Sequence, residues 1–533
     1  MTKQLFVNGK IFTSNPDQPQ VSAMVVENGR IEWLGESEQA ANFDGIKIDL
    51  QGRRVLPGFI DAHLHPLYLA KAAKQVACTA PVVNSIEDIK REIRSQLEEA
   101  GDGGWIEGWG YDEGKLAEGR APNRRDLDQA AMDVPVVLTR TCGHIVSVNS
   151  KALELAGITK DTPNPPGGKI GKDSDGELTG ILQESARHLV MAKLPQPTLE
   201  QNAELLGELS EFLFAHGITA ITDLMALRKP VDYVEMYNEA RRKGLKQRSV
   251  LYYIWDEIKD SAKLGEAETD RRNPVHIGGI KLFSDGSVSG RTAWVNPAYV
   301  GDGEEYGIDT TSREELLAAA EAAERNGVQL VVHAMGEQAI DLIVDTFYGK
   351  KSWLADGPSI RIEHAAMPTV KAIERAAEMG IAFVPQPIFL FAEIESYVKN
   401  LGAERLKTTY PVRTMLEAGI KVAFSSDAPA TAWADPVDPF VAIKSAVTRV
   451  AYDGTDTGQD QRVDTVTAIE LYTRAAQEVT RIPEIGQLKR GYHADFIVLD
   501  KDILEVEPFE LDTVSVEETY MGGELVYQKV AVR

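Results

Sequence analysis

A chain of 533 residues is longer than one hydrophobic core sustains, so more than one domain is expected. With 43% hydrophobic and 26% charged residues it has the composition of a folded globular protein, which excludes general disorder. A net charge of −24, without any basic patch, argues against nucleic acid as a partner, and no stretch is long and apolar enough to span a membrane.

The first residues carry no apolar core behind a basic start, and the two cysteines, Cys78 and Cys142, are too few for a disulfide framework, so a cytoplasmic protein is expected. Residues 5–12 and 23–35 read as short strands, each interrupted by an Asn-Gly pair (Asn8-Gly9 and Asn28-Gly29), which is a hairpin signal. At the other end, residues 494–500, 514–520 and 524–527 are strand-like around Gly522-Gly523. Two β-rich ends flanking an α/β middle predict one small sheet domain made from both, with 1–58 and 478–533 as its parts and 59–477 as a long insertion.

The middle opens on Leu56-Pro57-Gly58-Phe59-Ile60-Asp61-Ala62-His63-Leu64-His65-Pro66, an apolar strand ending in two histidines. Alternation along a strand sends His63 and His65 to one side, where they can grip one ion. Two histidines rarely suffice for a metal, so the remaining ligands must come from elsewhere in the chain. Between about 75 and 197 the pattern is irregular and rich in turns, with an amphipathic run after Ser85 and aromatic residues at Trp105, Trp109 and Tyr111. This is expected to be a loop-rich insertion near the mouth of the active site, where substrate-selecting residues often sit.

From about residue 198 a regular alternation of helix and strand returns. Strands are predicted at 218–223, 248–255, 277–283, 328–333, 360–364, 382–384 and 422–425, with helices at 313–326, 338–347, 370–379 and 412–418 between the later ones. With the His63 strand this makes about eight βα steps, the number that closes a parallel α/β barrel.

In such a barrel the C-terminal strand ends face one pocket, and here those ends carry His63 and His65, Lys281, His333, His364 and Asp427. Several imidazoles with one carboxylate suit a divalent metal, zinc before manganese, iron or nickel. Taken singly, His333 and His364 are equally well read as hydrogen-bonded core histidines, and Asp427 as a cap for the segment that follows. Lys281 in an apolar strand must either pair, with Asp285 as the candidate, or lose its charge. A neutral amine there can add carbon dioxide to give a carbamate able to bridge two ions between His63/His65 and His333/His364, and ions so placed bring the ionisation of bound water toward neutral pH. His144 follows an apolar strand and is expected to contact substrate; Asp285 and Arg291 are expected either to orient substrate or to pair with each other, and Trp105, with Trp109, Tyr111 and Phe389, either to line an apolar pocket or simply to pack.

The ordered set formed by 57–65, Lys281, His333, 362–365 and 425–427 resembles the metal-dependent amidohydrolase superfamily, as does the return through 485–500. Within it, 279–287, 333–339 and His144 with 148–153 are similar to the amidohydrolase-3 branch that includes N-substituted formamide deformylases. The resemblance implies a distorted (β/α)8 TIM barrel with a composite β-sandwich, and hydrolysis of a non-peptide C–N bond in a small-molecule substrate. It also implies two zinc ions, one held by His63, His65 and Asp427 and the other by His333 and His364, with carboxylated Lys281 between them. Asp427 would move the proton from the attacking water to the leaving nitrogen.

An N-acyl or N-formyl amine is the expected substrate. The alternatives are an aminohydrolase (deaminase), for which the bridging lysine is dispensable, a cyclic amidohydrolase, and a non-enzymatic scaffold, which the complete ligand set disfavours. Large acidic enzymes of this kind often assemble, so a homo-oligomer is compatible with the sequence.

Overall fold

The computed structural model describes residues 3–97, 104–141, 143, 145–260, 263–301 and 303–530. They form two compact units, the first made of Met1–Pro66, Asn202–Asp427 and Val437–Arg533 and the second of Leu67–Gln201 and Ala428–Pro436.

The first unit is built on a seven-stranded parallel sheet: β1 (Phe59–Leu64), β2 (Ile218–Ala226), β3 (Arg248–Ile254), β4 (Val275–Phe283), β5 (Gln329–Ala334), β6 (Ile360–His364) and β7 (Ala382–Val384), each paired with the next. All seven are almost wholly buried, as expected of strands covered on both faces, and most are apolar runs; β6 alternates apolar with charged residues. The connecting helices start and stop on local chemistry. Ser312 and Thr369 accept a hydrogen bond from the third amide of Arg313–Asn326 and Val370–Met379, and Gly327 and Gly380 end them at φ of 64° and 66°.

The expected eighth strand at 422–425 is not a full strand. It makes a single bridge, Val422 to Phe383 on β7, and on its other side reaches β1 through Asp427, whose N–H donates to the His63 carbonyl at 2.7 Å. Side chains supply the pairing that a regular ladder would have made: Ser426 donates to the Asp61 carboxylate from both its backbone N–H (3.2 Å) and its hydroxyl (2.6 Å). The barrel thus runs through seven strands and is bridged by 421–427.

The terminal segments build two further sheets in this unit. One contains Gln4–Val7, Ala23–Glu27, Arg30–Gly35 and Ile46–Asp49. The other joins Lys10–Phe12, Gln20–Val21 and Arg54–Pro57 to Phe496–Leu499, Val516–Met521 and Glu524–Gln528, with Leu56 opposite Ile497. Asn28-Gly29 makes the expected two-residue hairpin, both residues at positive φ. Asn8-Gly9 does not. The strands on either side of it lie in different sheets, and the pair serves as the step between them; Leu50 Cδ1 would stand 2.6 Å from a Cβ at Gly9.

The second unit corrects the expectation of a loop-rich insertion. It is a six-stranded mixed sheet in which Val76–Ala77, Ile106–Tyr111 and Val136–Arg140 run parallel, followed by antiparallel Ile145–Val148, Leu178–Glu184 and Gly168–Lys172. It has apolar clusters of its own around Ile89, Ile93 and Leu138 and around Val146, Leu153 and Leu182. Its strands are short and carry glycines, so they leave little periodicity to read.

The Phe496 ring packs edge-on against Phe6 at 5.0 Å and stacks on Tyr520 at 4.5 Å, joining the first and last segments of the chain. Phe496→Ala is expected to cost about 3–5 kcal/mol, the usual range for a buried Phe. Differential scanning fluorimetry at matched metal content checks this, as a midpoint several degrees lower.

Candidate metal centre

The register of the barrel sets Phe283 opposite His333 and Ala334 opposite His364, so the candidate residues finish at one level. His63, His65 and Asp427 bring ligand atoms to within 4.8 Å of one another. Asp427 Oδ1 lies 3.1 Å from His63 Nε2 and 2.8 Å from His65 Nε2, yet it is buried and has no hydrogen bond of acceptable geometry. His364 continues the cluster, its ring centre 5.1 Å from that of His63 and 4.4 Å from that of His333.

Which imidazole nitrogen is free is settled by what the other one touches. His63 Nδ1 donates to Glu363 Oε2 at 2.7 Å and His364 Nδ1 to Gln386 Oε1 at 2.7 Å, leaving each Nε2 as a lone-pair donor. Gln386 is itself fixed, because its Nε2 donates to the Val384 carbonyl and the Ser425 hydroxyl. His333 is the reverse case: Nε2 donates to the Gly286 carbonyl at 3.0 Å, so its lone pair is on Nδ1. Burial and the Lys281 charge hold His333 down to about 3, and burial and the neighbouring His333 keep His364 well below its usual value, so both stay neutral as ligands must. For His63 burial is outweighed by the Asp427 and Glu363 carboxylates, which raise it. Against the opposing effect of burial, His63 and His65 hold Asp427 well below the usual carboxylate range.

Lys281 is fully buried, and its Nζ has no hydrogen-bond partner. Burial pulls it down to about 8. It does not pair with Asp285, whose carboxylate instead accepts the backbone N–H groups of Trp294, Met335 and Gly336 at 2.8–3.0 Å. Asp285 thereby fixes the turn after His333; burial lifts it to about 7. Arg291 does not pair with Asp285 either: its guanidinium goes to Glu305 and to the Val300 carbonyl. Trp105 packs in the second unit against the cluster around Val146, and Trp109 and Tyr111 lie in a strand there. His144 falls outside the described residues, as does Cys142; Phe389 stacks on His364 at 6.0 Å.

Sequence reasoning gave no role to Glu363, Arg361, Asp61 and Gln386, each of which contacts a candidate ligand or a residue that holds one. Glu363 is clamped by Arg361 (Nε to Oε1 3.0 Å, Nη2 to Oε2 3.1 Å), and Arg361 also donates to the Ala62 carbonyl and to the Tyr252 hydroxyl. Arg361 and His63 hold Glu363 down to about 2 despite its burial. Glu363 and His364 are neighbours that would face opposite ways in a regular strand. Both reach the site because the chain turns there, with His364 at φ 69° and Ala365 at 44°. The alternating charges of Ile360-Arg361-Ile362-Glu363-His364 in a buried strand were the available signal.

A divalent cation fits these residues. The Asp427 oxygen and the Lys281 amine are buried without hydrogen bonds, and three imidazoles have their lone pairs assigned by their other contacts.

The amidohydrolase family model matches residues 47–527, and that decides the relationship. The chain belongs to the amidohydrolase family. It is 30% identical to a putative amidohydrolase, YtcJ, of Bacillus subtilis over 99% of this chain and 100% of that protein. It is also 30% identical to an N-substituted formamide deformylase of Arthrobacter pascens over 99% of each. An uncharacterized metal-dependent hydrolase from Pyrococcus horikoshii is similar in structure, with a TM-score of 0.76 at 28% identity, covering 95% of this chain and 99% of that one. This amidohydrolase is therefore a metal-dependent hydrolase that acts on C–N bonds of a small-molecule substrate. Among the described residues no helix is long and apolar enough to cross a membrane.

If Gln386 orients His364, Gln386→Leu removes that acceptor while keeping the volume, and metal affinity should fall about 10–100-fold. Competition with a chromophoric chelator reads this, with circular dichroism confirming an unchanged fold.

Proposed function

We propose that this amidohydrolase cleaves the amide bond of an N-acyl or N-formyl amine. The observation that carries the reading is the convergence of two Nε2 atoms on a buried Asp427 oxygen, beside a buried lysine amine without a hydrogen-bond partner. His63, His65 and Asp427 would hold one divalent ion and His333 and His364 a second, zinc being the metal this donor set suits best. Lys281, low enough to be neutral in part near pH 8, would carry the carbamate between them. Bound there, the metal polarises the carbonyl and eases the ionisation of water.

The protein's own groups do the rest. Asp427 takes the proton of the attacking water on its carboxylate and returns it to the leaving nitrogen. Glu363 keeps the His63 Nε2 lone pair aimed at the site, and Gln386 does the same for His364. The amide C–N bond breaks as the water oxygen bonds to the carbonyl carbon, giving a carboxylate and an amine. The 30% identity to a formamide deformylase supports the C–N chemistry and a formyl or small acyl group. His144 we keep as a substrate contact. The two sheets of the terminal segments we read as a composite β-sandwich, supported by an apolar cluster drawn from strands of both. A cytoplasmic location agrees with the two cysteines, Cys78 being buried.

The test is metal-reconstituted protein assayed on N-formyl amines, N-acyl amino acids and cyclic amides, with free amine and ammonia measured separately. Metal-dependent release of a primary amine is expected; ammonia release from a ring substrate would instead indicate an aminohydrolase. Asp427→Asn should lower kcat at least about a hundredfold with the fold intact. Lys281→Ala should lower the bound metal per chain and the rate together, with partial recovery on adding a short carboxylate; full activity in this variant would exclude the carbamate.

A further inference from the structure

Beside the ligand cluster, at the ends of β3 and β4, lies a cavity of about 200 Å³ that the proposed reaction leaves without an occupant. Its wall includes Lys281 and Phe283 on β4, Trp255 and Asp256 after β3, and Thr311 and Glu315 before and within the next helix. Lys281 is 1% exposed, whereas Asp256 has 72% of its side chain in solvent, so the lining of the cavity ranges from a buried to an exposed residue. Phe283 is intermediate between them. Its ring centre is 5.6 Å from that of His333 and 5.1 Å from Lys281 Nζ, and the residue is 36% exposed.

The chemistry of this wall is that of an ammonium site. Trp255 and Phe283 offer aromatic surface, and an aromatic face attracts a cation. At the outer end Asp256, Asp260 and Glu315 all bear on a single cation, Lys259, whose Nζ is 2.7 Å from Asp256 Oδ1; three carboxylates against one ammonium leave the rim negative. Glu315 is held in place by the Thr311 hydroxyl, which donates to its Oε2 at 3.1 Å. Size agrees with a short chain. A benzene ring occupies a cavity of about 150 Å³, so this one takes roughly six to eight non-hydrogen atoms.

We propose that this cavity receives the cationic end of the leaving amine, making the preferred substrate the monoamide of a short aliphatic diamine. The inference rests on the amide-hydrolysing reading above and names its substrate class. The amide would lie at the Lys281 end and the free ammonium between the aromatic rings and the Asp256 and Glu315 carboxylates. Water adds its oxygen to the acyl carbon, the C–N bond breaks, and the nitrogen leaves protonated as one end of the diamine.

The test compares two formamides that differ only in charge, N-formyl-1,4-diaminobutane and N-formylpentylamine, on the metal-reconstituted enzyme. Binding of 1,4-diaminobutane and of pentylamine is measured in parallel by calorimetry, with and without metal. The charged formamide should have a kcat/KM at least five- to tenfold higher, and Asp256→Asn with Glu315→Gln should bring the ratio near one. Phe283→Leu, which keeps an apolar side chain but loses the ring, should also lower it. If both formamides are hydrolysed with equal efficiency, or the preference survives the double substitution, the ammonium subsite is wrong and the amide reading stands. If neither is hydrolysed but the diamine binds more tightly than pentylamine and loses that advantage in the double variant, the subsite stands and the amide reading falls. No hydrolysis with no difference in binding would overturn the subsite.

Discussion

The short contact of Asp427 with His63 and His65 depends on how the barrel is bridged. After β7 the chain makes only one strand-like bridge, and Ser426 and Asp427 are then drawn onto β1 by the Asp61 carboxylate and the His63 carbonyl. The structural link and the ligand set are therefore the same few residues. Asp427 sits at φ 56°, a conformation a non-glycine residue holds only when its surroundings fix it, and here they fix it against the two imidazoles. Burial lifts Asp61 to about 6, and the Ser426 and His63 donors offset part of that.

The second constraint is electrostatic. Burying an arginine, a glutamate, a lysine, an aspartate and three imidazoles at one barrel end is unfavourable unless each has a partner. Most do. Arg361 and Glu363 neutralise each other and pass their order to His63, while Gln386 orders His364 without adding charge. The exceptions are the Lys281 amine and the Asp427 oxygen, and they are the two groups assigned to bridging ions and moving a proton. Unsatisfied polar atoms in a buried site are costly, so their presence together is the strongest structural argument for a cation among them.

Much of this was legible in the sequence because the barrel follows simple rules. Buried parallel strands read as apolar runs, and the histidines, the lysine and the aspartate fall at their ends. Strand 360–364 and the helices at 313–326 and 370–379 match the structure residue for residue. What escaped were features decided by tertiary contact. Asn8-Gly9 carries hairpin chemistry but steps between sheets, because its flanking strands find better partners elsewhere. The segment 75–197 hides short glycine-bearing strands whose order comes from lateral pairing. The sequence leaves Asp285 open to orient substrate or to pair with Lys281 or Arg291, yet three backbone amides claim it. Glu363 could not be placed without knowing that the chain turns at His364.

The central claim, that these strand ends exist to hold cations, is tested most directly by crystals grown from zinc-loaded protein, with diffraction recorded on either side of the zinc absorption edge. The account predicts anomalous density between His63, His65 and Asp427, with a second peak by His333 and His364 and added density on Lys281 Nζ. Fully ordered side chains with no anomalous peak among them would contradict it.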